Sequence, residues 1–177
     1  MDWLEIKEFF KDTLKYIIFI IIILFLAIYV VGLQQVIGPS MSPTLESNDI
    51  IILDKISYKF TKIKRGDIIS LYREKNNSLI KRVIGLPGEY IEFKNNKLYI
   101  NDVYIDEIYL MNVVTKDFSL KELGYDKIPQ NMYLVVGDNR ENSLDSRDTS
   151  IGLIKKQEII GKARFRLWPL NKIKIIG

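Results

Sequence analysis

Tyr90-Ile91-Glu92-Phe93-Lys94-Asn95-Asn96-Lys97-Leu98-Tyr99-Ile100 sets the class of fold for this chain of 177 residues. Apolar and polar side chains alternate on both sides of Asn95-Asn96. That is the period of a half-buried strand, and the asparagine pair suits a tight turn. The stretch predicts an antiparallel hairpin. Asn101-Asp102 turns the chain once more before Val103-Tyr104-Ile105.

Short β segments continue on either side. Ile50-Ile51-Ile52-Leu53, Ile68-Ile69-Ser70-Leu71-Tyr72 and Leu79-Ile80-Lys81-Arg82-Val83-Ile84 precede the hairpin, and strands at 132–136, 163–168 and 172–176 follow it. Residues 111–130 are irregular and polar, and read as a loop or a small excursion. Outside the apolar run described next, helical periodicity is confined to 1–15. The expectation over 34–177 is a mainly β, antiparallel domain, a Greek key or partly open barrel.

Ahead of that domain, residues 17–33 carry no charge, and fourteen of the seventeen are Ile, Leu, Phe or Val. At helical rise they span roughly 26 Å, near the hydrocarbon thickness of a bilayer. Insertion is favoured by roughly 4 to 8 kcal/mol. Val30-Val31-Gly32-Leu33-Gln34-Gln35 offers no small-residue cleavage site, so the run reads as an uncleaved anchor. Lys7, Lys11 and Lys15 precede it, and the first cation after it is Lys55. The positive-inside rule then gives a cytoplasmic segment at 1–15, a transmembrane helix at 16–33 and an extracytoplasmic domain at 34–177 in the cytoplasmic membrane.

The net charge is +4, and residues 1–15 hold three lysines against four acids, so the remainder is about +5. A basic external domain is drawn to anionic headgroups, or simply carries a solvated surface. No basic–aromatic stripe points to nucleic acid. Oligomeric state leaves no mark in the sequence.

The chain has no histidine and no cysteine. A Ser-His-Asp triad, a thiol nucleophile and a thiolate zinc site are therefore all excluded. Nucleophilic chemistry here needs a hydroxyl and a base other than imidazole, and a desolvated lysine can be that base. Ser40, in Gly38-Pro39-Ser40-Met41-Ser42-Pro43, lies seven residues past Leu33. Fully extended, that link reaches at most about 25 Å, which keeps Ser40 near the membrane surface. Lys81 lies on a strand pattern that puts it on one face with Val83, opposite Ile80 and Arg82. Apolar surroundings there would lower its pKa toward a useful base; on a solvated edge it would be an ordinary lysine. The polar run at 137–148 follows an apolar strand, and Arg82, Asp145 and Arg147 can pair the charges that a buried network there requires.

Four segments in order resemble the conserved boxes of bacterial type I signal peptidases: Ser40-Met41-Ser42-Pro43-Thr44-Leu45, Arg65-Gly66-Asp67-Ile68-Ile69, Lys81-Arg82-Val83-Ile84-Gly85-Leu86-Pro87-Gly88-Glu89, and Gly137-Asp138-Asn139-Arg140 through Ser143-Leu144-Asp145-Ser146-Arg147. The short chain with a lone N-terminal anchor is similar to the compact Gram-positive forms. The resemblance implies a serine endopeptidase that removes signal peptides from exported preproteins after small residues at −1 and −3, without a cofactor or metal. It implies Ser40 as nucleophile and Lys81 as general base. Ser143 would orient the Lys81 ammonium, Asp145 would pair with Arg82, and Arg147 and Asp138 would brace that network. Val36, Ile37, Gly38, Met41, Leu45 and Ile80 match positions that line the substrate pocket. The Ser40 N–H would be one oxyanion donor. Gly38 replaces a serine that supplies a second donor in some members, and Pro39 biases Gly38 toward extended backbone. Arg65-Gly66-Asp67 reads as a structural corner and Gly85-Leu86-Pro87-Gly88 as a turn. Two alternatives stand beside this reading: a silent, membrane-anchored homologue acting as a scaffold subunit, and a self-cleaving repressor, which would need a DNA-binding domain in place of the anchor.

Overall fold

A computed structural model describes residues 2–74, 77–110 and 113–176. Helix α1, Trp3–Phe25, starts at a capping box: Asp2 accepts from the Trp3 N–H at 2.7 Å, and Glu5 accepts from the Asp2 N–H at 3.1 Å. A wider π-turn, Leu26–Val30, carries it into strand β1, Val31–Gln35. The 28 residues from Trp3 to Val30 are long and apolar enough to cross a membrane, and none of the residues of α1 is buried. The helix starts earlier than the expected span and ends earlier. Val31, Gly32 and Leu33, expected in the helix, instead pair with Asp54, Leu53 and Ile52. β-Branched Val30 and Val31 and the glycine are weak helix formers, and the neighbouring strand offers their backbone a ladder.

The remaining strands are β2 (Ile50–Asp54), β3 (Ile68–Glu74), β4 (Asn77–Gly85), β5 (Ile91–Lys94), β6 (Lys97–Ile100), β7 (Val103–Ile105), β8 (Phe118–Ser119), β9 (Met132–Val136), β10 (Ile154–Lys155), β11 (Ile159–Trp168) and β12 (Lys174–Ile175). A short helix α2, Ser57–Phe60, follows β2. The larger sheet runs β1-β2-β11-β3-β4-β9-β10, with β12 also on β11, and the smaller runs β7-β6-β5-β8. Every pairing described is antiparallel, as the alternation predicts. The quoted hairpin is β5–β6, with Asn95 and Asn96 at φ 50° and 62°.

β11 is longer than the pattern at 163–168 suggests, because three register shifts break its alternation. One falls at Gly161, where a Cβ would sit 2.6 Å from the Asp54 carbonyl oxygen. Glycine there lets β11 pass close to the end of β2 and reach β3. The terminal strand shortens to Lys174–Ile175 because Leu170–Lys172 winds into a 3-10 turn. Residues 113–130 form a small excursion, most of it without regular secondary structure as expected; within it β8 adds to β5, Ser119 caps a 3-10 turn at Leu120–Leu123, and Leu120 and Ile128 enter the core. Residues 111 and 112 of that excursion lie outside the described residues.

Three apolar clusters hold the domain. One joins the small sheet to β4 and β9 through Ile84, Ile91, Phe93, Leu98, Leu134 and Val136. A second packs Val36, Met41, Leu45, Ile51, Ile68 and Ile80 beneath the loop after β1. The third includes Ile69, Leu71, Val83, Tyr133 and Val135. β4 sits inside the large sheet with β3 on one side and β9 on the other. Its register pairs Arg82 with Val136 and Val83 with Val135. Carried one residue further, that register brings Gly137 beside Lys81.

Candidate active site

Ser40 lies on the loop after β1. Gly38 takes φ +79° there. Pro39 predicts extended backbone at Gly38; the turn instead uses the left-handed region, which glycine enters without Cβ strain. After the turn, Leu45 N–H donates to Met41 O at 2.9 Å, and the side chains of Met41 and Leu45 anchor the loop in the second core cluster. From across the molecule, Asn139 N–H donates to Ser40 O at 3.1 Å and its Nδ2 donates to Pro39 O at 3.2 Å. Asp49 holds the far end of the loop by accepting from the Glu46 N–H at 3.0 Å and from Arg166 Nη1 at 3.1 Å.

Lys81 extends from β4 and is 2% exposed. Its Nζ donates to Ser40 Oγ at 2.6 Å. Burial pulls its pKa down from the ordinary lysine range to about 8; the carboxylates of Asp145 and Asp138 oppose the shift and Arg147 reinforces it. A lysine in this state exchanges its proton near neutral pH while lying within hydrogen-bond reach of a hydroxyl.

The ion pairs around the dyad differ from those expected. Arg82 does not pair with Asp145. Its Nε and Nη2 donate to Asp138 at 2.8 and 2.6 Å, its Nη1 donates to Gly66 O at 2.9 Å, and its guanidinium lies 4.0 Å from the Tyr109 ring centroid. The register is the reason. Val136 is the cross-strand neighbour of Arg82, and Asp138 is two residues on, on the same face. Asp145 accepts instead from the Gly137 N–H at 3.0 Å and from Arg147 Nε and Nη2 at 2.8 and 2.9 Å. Burial pushes the Asp145 carboxyl upward, but the bonds from Arg147 and Gly137 outweigh it and hold the pKa below the usual range.

Ser143 does not bond to Lys81 either. Its Oγ is buried and makes no well-aligned hydrogen bond, but it faces the Asp145 carboxyl and helps to lower its pKa. It packs on Gly137, where a Cβ would overlap both Ser143 Oγ and the Ser40 carbonyl oxygen. Glycine at 137 therefore permits the close approach of the nucleophile loop to the 137–148 loop.

Of the six pocket positions, Val36, Met41, Leu45 and Ile80 are buried together beneath Ser40. Ile37 is 84% exposed. Val36 bonds through its backbone to Asn48 and Asp49, but the backbone groups of Ile37 and Gly38 find no protein partner among the described residues. The Ser40 N–H likewise donates to no protein acceptor among them. Both corners expected from the sequence are present: Gly66 at φ +88° donates to Val83 O at 2.8 Å, and Glu89 N–H donates to Leu86 O at 3.2 Å.

The sequence reading assigned no role to Arg140, Glu107 or Asn139. Arg140 is buried, donates to Glu107 at 2.8 and 2.5 Å and to Gly137 O at 3.1 Å, and ties the small sheet to the loop after β9. Arg140 and Asn139 stand inside a motif already singled out, so their position was a signal. Glu107 lies in a stretch with no motif.

The signature described as "Signal peptidase, peptidase S26" matches residues 8–168. The chain belongs to this family. Signal peptidase IB of Staphylococcus aureus (strain Mu50) is 36% identical over 93% of this chain and 94% of its own length. Signal peptidase I of Bacillus caldolyticus is 39% identical over 83% and 85%. A crystal structure of a signal peptidase I from Enterococcus faecalis V583 superposes with a TM-score of 0.52 at 37% identity, covering 58% of this chain and 97% of that one. Membership in the S26 family supports signal-peptide cleavage by a serine peptidase.

Proposed function

We propose that this chain is a membrane-anchored serine endopeptidase in which Ser40 is the nucleophile and Lys81 the general base, acting on the signal peptides of exported preproteins. The observation that carries the reading is the 2.6 Å contact between a buried, pKa-lowered lysine and a serine hydroxyl. In the free-amine state Lys81 accepts the Ser40 proton along that line as Oγ attacks the scissile carbonyl. The Ser40 N–H faces the developing oxyanion. Lys81 then returns the proton to the departing amine, and water, deprotonated by the same amine, hydrolyses the acyl ester. In this reading Ser143, whose buried hydroxyl faces the Asp145 carboxyl, accepts from the Lys81 ammonium once the proton has moved and donates its own proton toward Asp145.

The unpaired backbone of Ile37 and Gly38 suits a substrate strand that adds beside it, and small residues at −1 and −3 fit against the closely packed Val36, Met41, Leu45 and Ile80. Helix α1 anchors the chain, with its lysine-bearing start in the cytoplasm and the β domain outside. Exposed Phe165, Trp168, Leu170, Ile173 and Ile175 on the β11–β12 hairpin support contact of that domain with the bilayer surface. No step calls for a metal or organic cofactor.

The test is cleavage of a model preprotein by the full-length protein in detergent, with the new N-terminus sequenced. Parent enzyme cuts after a small-x-small site; Ser40→Ala loses several orders of magnitude in rate. A folded parent that cuts nothing would return the chain to the scaffold reading. The pH profile is a second check. Below about pH 8 the base is protonated, so kcat/KM rises with pH through an apparent pKa of about 8 and then levels. A profile flat from pH 6 to 9 contradicts Lys81 as the base.

A further inference from the structure

A cleft of about 740 Å³ carries Lys55, Lys59, Lys155 and Lys156 on its walls and the apolar side chains of Ile63 and Ile160 within. Neither Ser40 nor Lys81 lines it, and none of its lining residues is acidic. Among the described residues, none of the four ammonium groups pairs with a carboxylate. Four cations around an apolar concavity complement an anion attached to an apolar body.

The position of the cleft says which anion. The Lys55 N–H donates to Val30 O at 3.0 Å, and its Nζ donates to Ile28 O at 3.3 Å, so this lysine caps the end of the apolar helix. Gly32 makes room for it, since a Cβ there would lie 2.6 Å from Lys55 Cε. A second cleft, lined by Ala27, Ile28 and Val31, shares Lys55 and Ile160 with the first. The basic cleft thus continues onto the helix end, where the headgroups of a spanned bilayer lie. Phe60, next to Lys59 in sequence, is 82% exposed.

We propose that this cleft binds the phosphate headgroup of an anionic phospholipid from the leaflet in which α1 ends. The inference rests on α1 being a membrane span. Phosphate chemistry alone would also suit free inorganic phosphate. Continuity with the helix end favours the lipid. Bound there, the headgroup steadies the β domain against the membrane surface. Each lysine near an anionic surface contributes about fivefold in affinity.

The test titrates full-length protein in detergent with phosphatidylglycerol or phosphatidylcholine and counts retained lipid by native mass spectrometry. Phosphatidylglycerol is expected to be retained in preference. The triple variant Lys59→Gln/Lys155→Gln/Lys156→Gln, which spares the helix-capping Lys55, weakens that retention at least about tenfold. A control, Lys94→Gln/Lys97→Gln/Lys121→Gln, removes three exposed lysines of the small-sheet region and leaves it unchanged. Equal retention of both lipids, equal loss in the control, or displacement by inorganic phosphate at comparable concentration would overturn the lipid site. Alkaline extraction from phosphatidylcholine vesicles separates the two readings. Release of parent protein removes the anchor and this proposal together. Retention without a phosphatidylglycerol preference removes the lipid site alone.

Discussion

Lys81→Met is expected to lower kcat for preprotein cleavage by about a thousandfold or more, and to fold more stably than the parent. Both effects come from one property. Lys81 is 2% exposed and titrates near 8 rather than 10.5. Below about pH 8 the lysine is protonated in both folded and unfolded chains, and burying that charge costs the folded state about 3 kcal/mol. Between about pH 8 and 10.5 the unfolded chain holds a proton that the folded chain has released, so stability rises with pH. Above that range the cost is gone. Methionine has similar length and no charge, and removes the cost at every pH. Denaturation midpoints of parent and Lys81→Met, measured from pH 6 to 10.5, should therefore converge as pH rises. A constant difference would show that burial does not act on the ammonium, and near-parental cleavage by the variant would exclude the dyad.

The second large effect is at Asp138. Asp138→Ala leaves the Arg82 guanidinium buried without its carboxylate, which costs about 3 to 5 kcal/mol. Arg82 also reaches Gly66 O at 2.9 Å and Thr44 Oγ1 at 3.4 Å, so it ties the strand of Lys81 to the loop of Ser40. Cleavage is expected to fall with stability. The double variant Arg82→Met/Asp138→Leu replaces the pair with apolar volume and is expected to recover most of the stability. Its kcat stays low, because the ties to Gly66 and Thr44 are not restored. Denaturant unfolding and kcat on the same preparations check this. A loss below about 1 kcal/mol in Asp138→Ala would place the pair among exposed, weak ion pairs.

These predictions depend on facts of different legibility. Ser40 and Lys81 stood out through the resemblance of their segments to signal peptidase boxes; the absence of histidine and cysteine said only that a hydroxyl must attack and that its base is not imidazole. The β5–β6 hairpin was legible because alternation and its turn agree locally. The length of β11 was not, because bulges break the period, and an interior glycine reads as a breaker until the Asp54 carbonyl is seen against it. The end of α1 was misjudged for a similar reason. Val31, Gly32 and Leu33 are as apolar as the run before them, and only the edge of β2 draws them into a sheet.

Composition and local pattern were enough to specify an apolar N-terminal helix, an antiparallel β domain and the need for a hydroxyl nucleophile with a base other than imidazole. Those are matters of side-chain type and spacing along one strand or turn. Which aspartate serves which arginine belongs to the fold, because Asp138 and Asp145 are chemically equivalent and only the Arg82–Val136 register brings one of them within reach. The same holds for the base. A lysine on a strand is solvated or desolvated according to what packs over it, and it took the meeting of β4 with the Ser40 loop to bury Lys81 and bring its nitrogen to 2.6 Å from a hydroxyl.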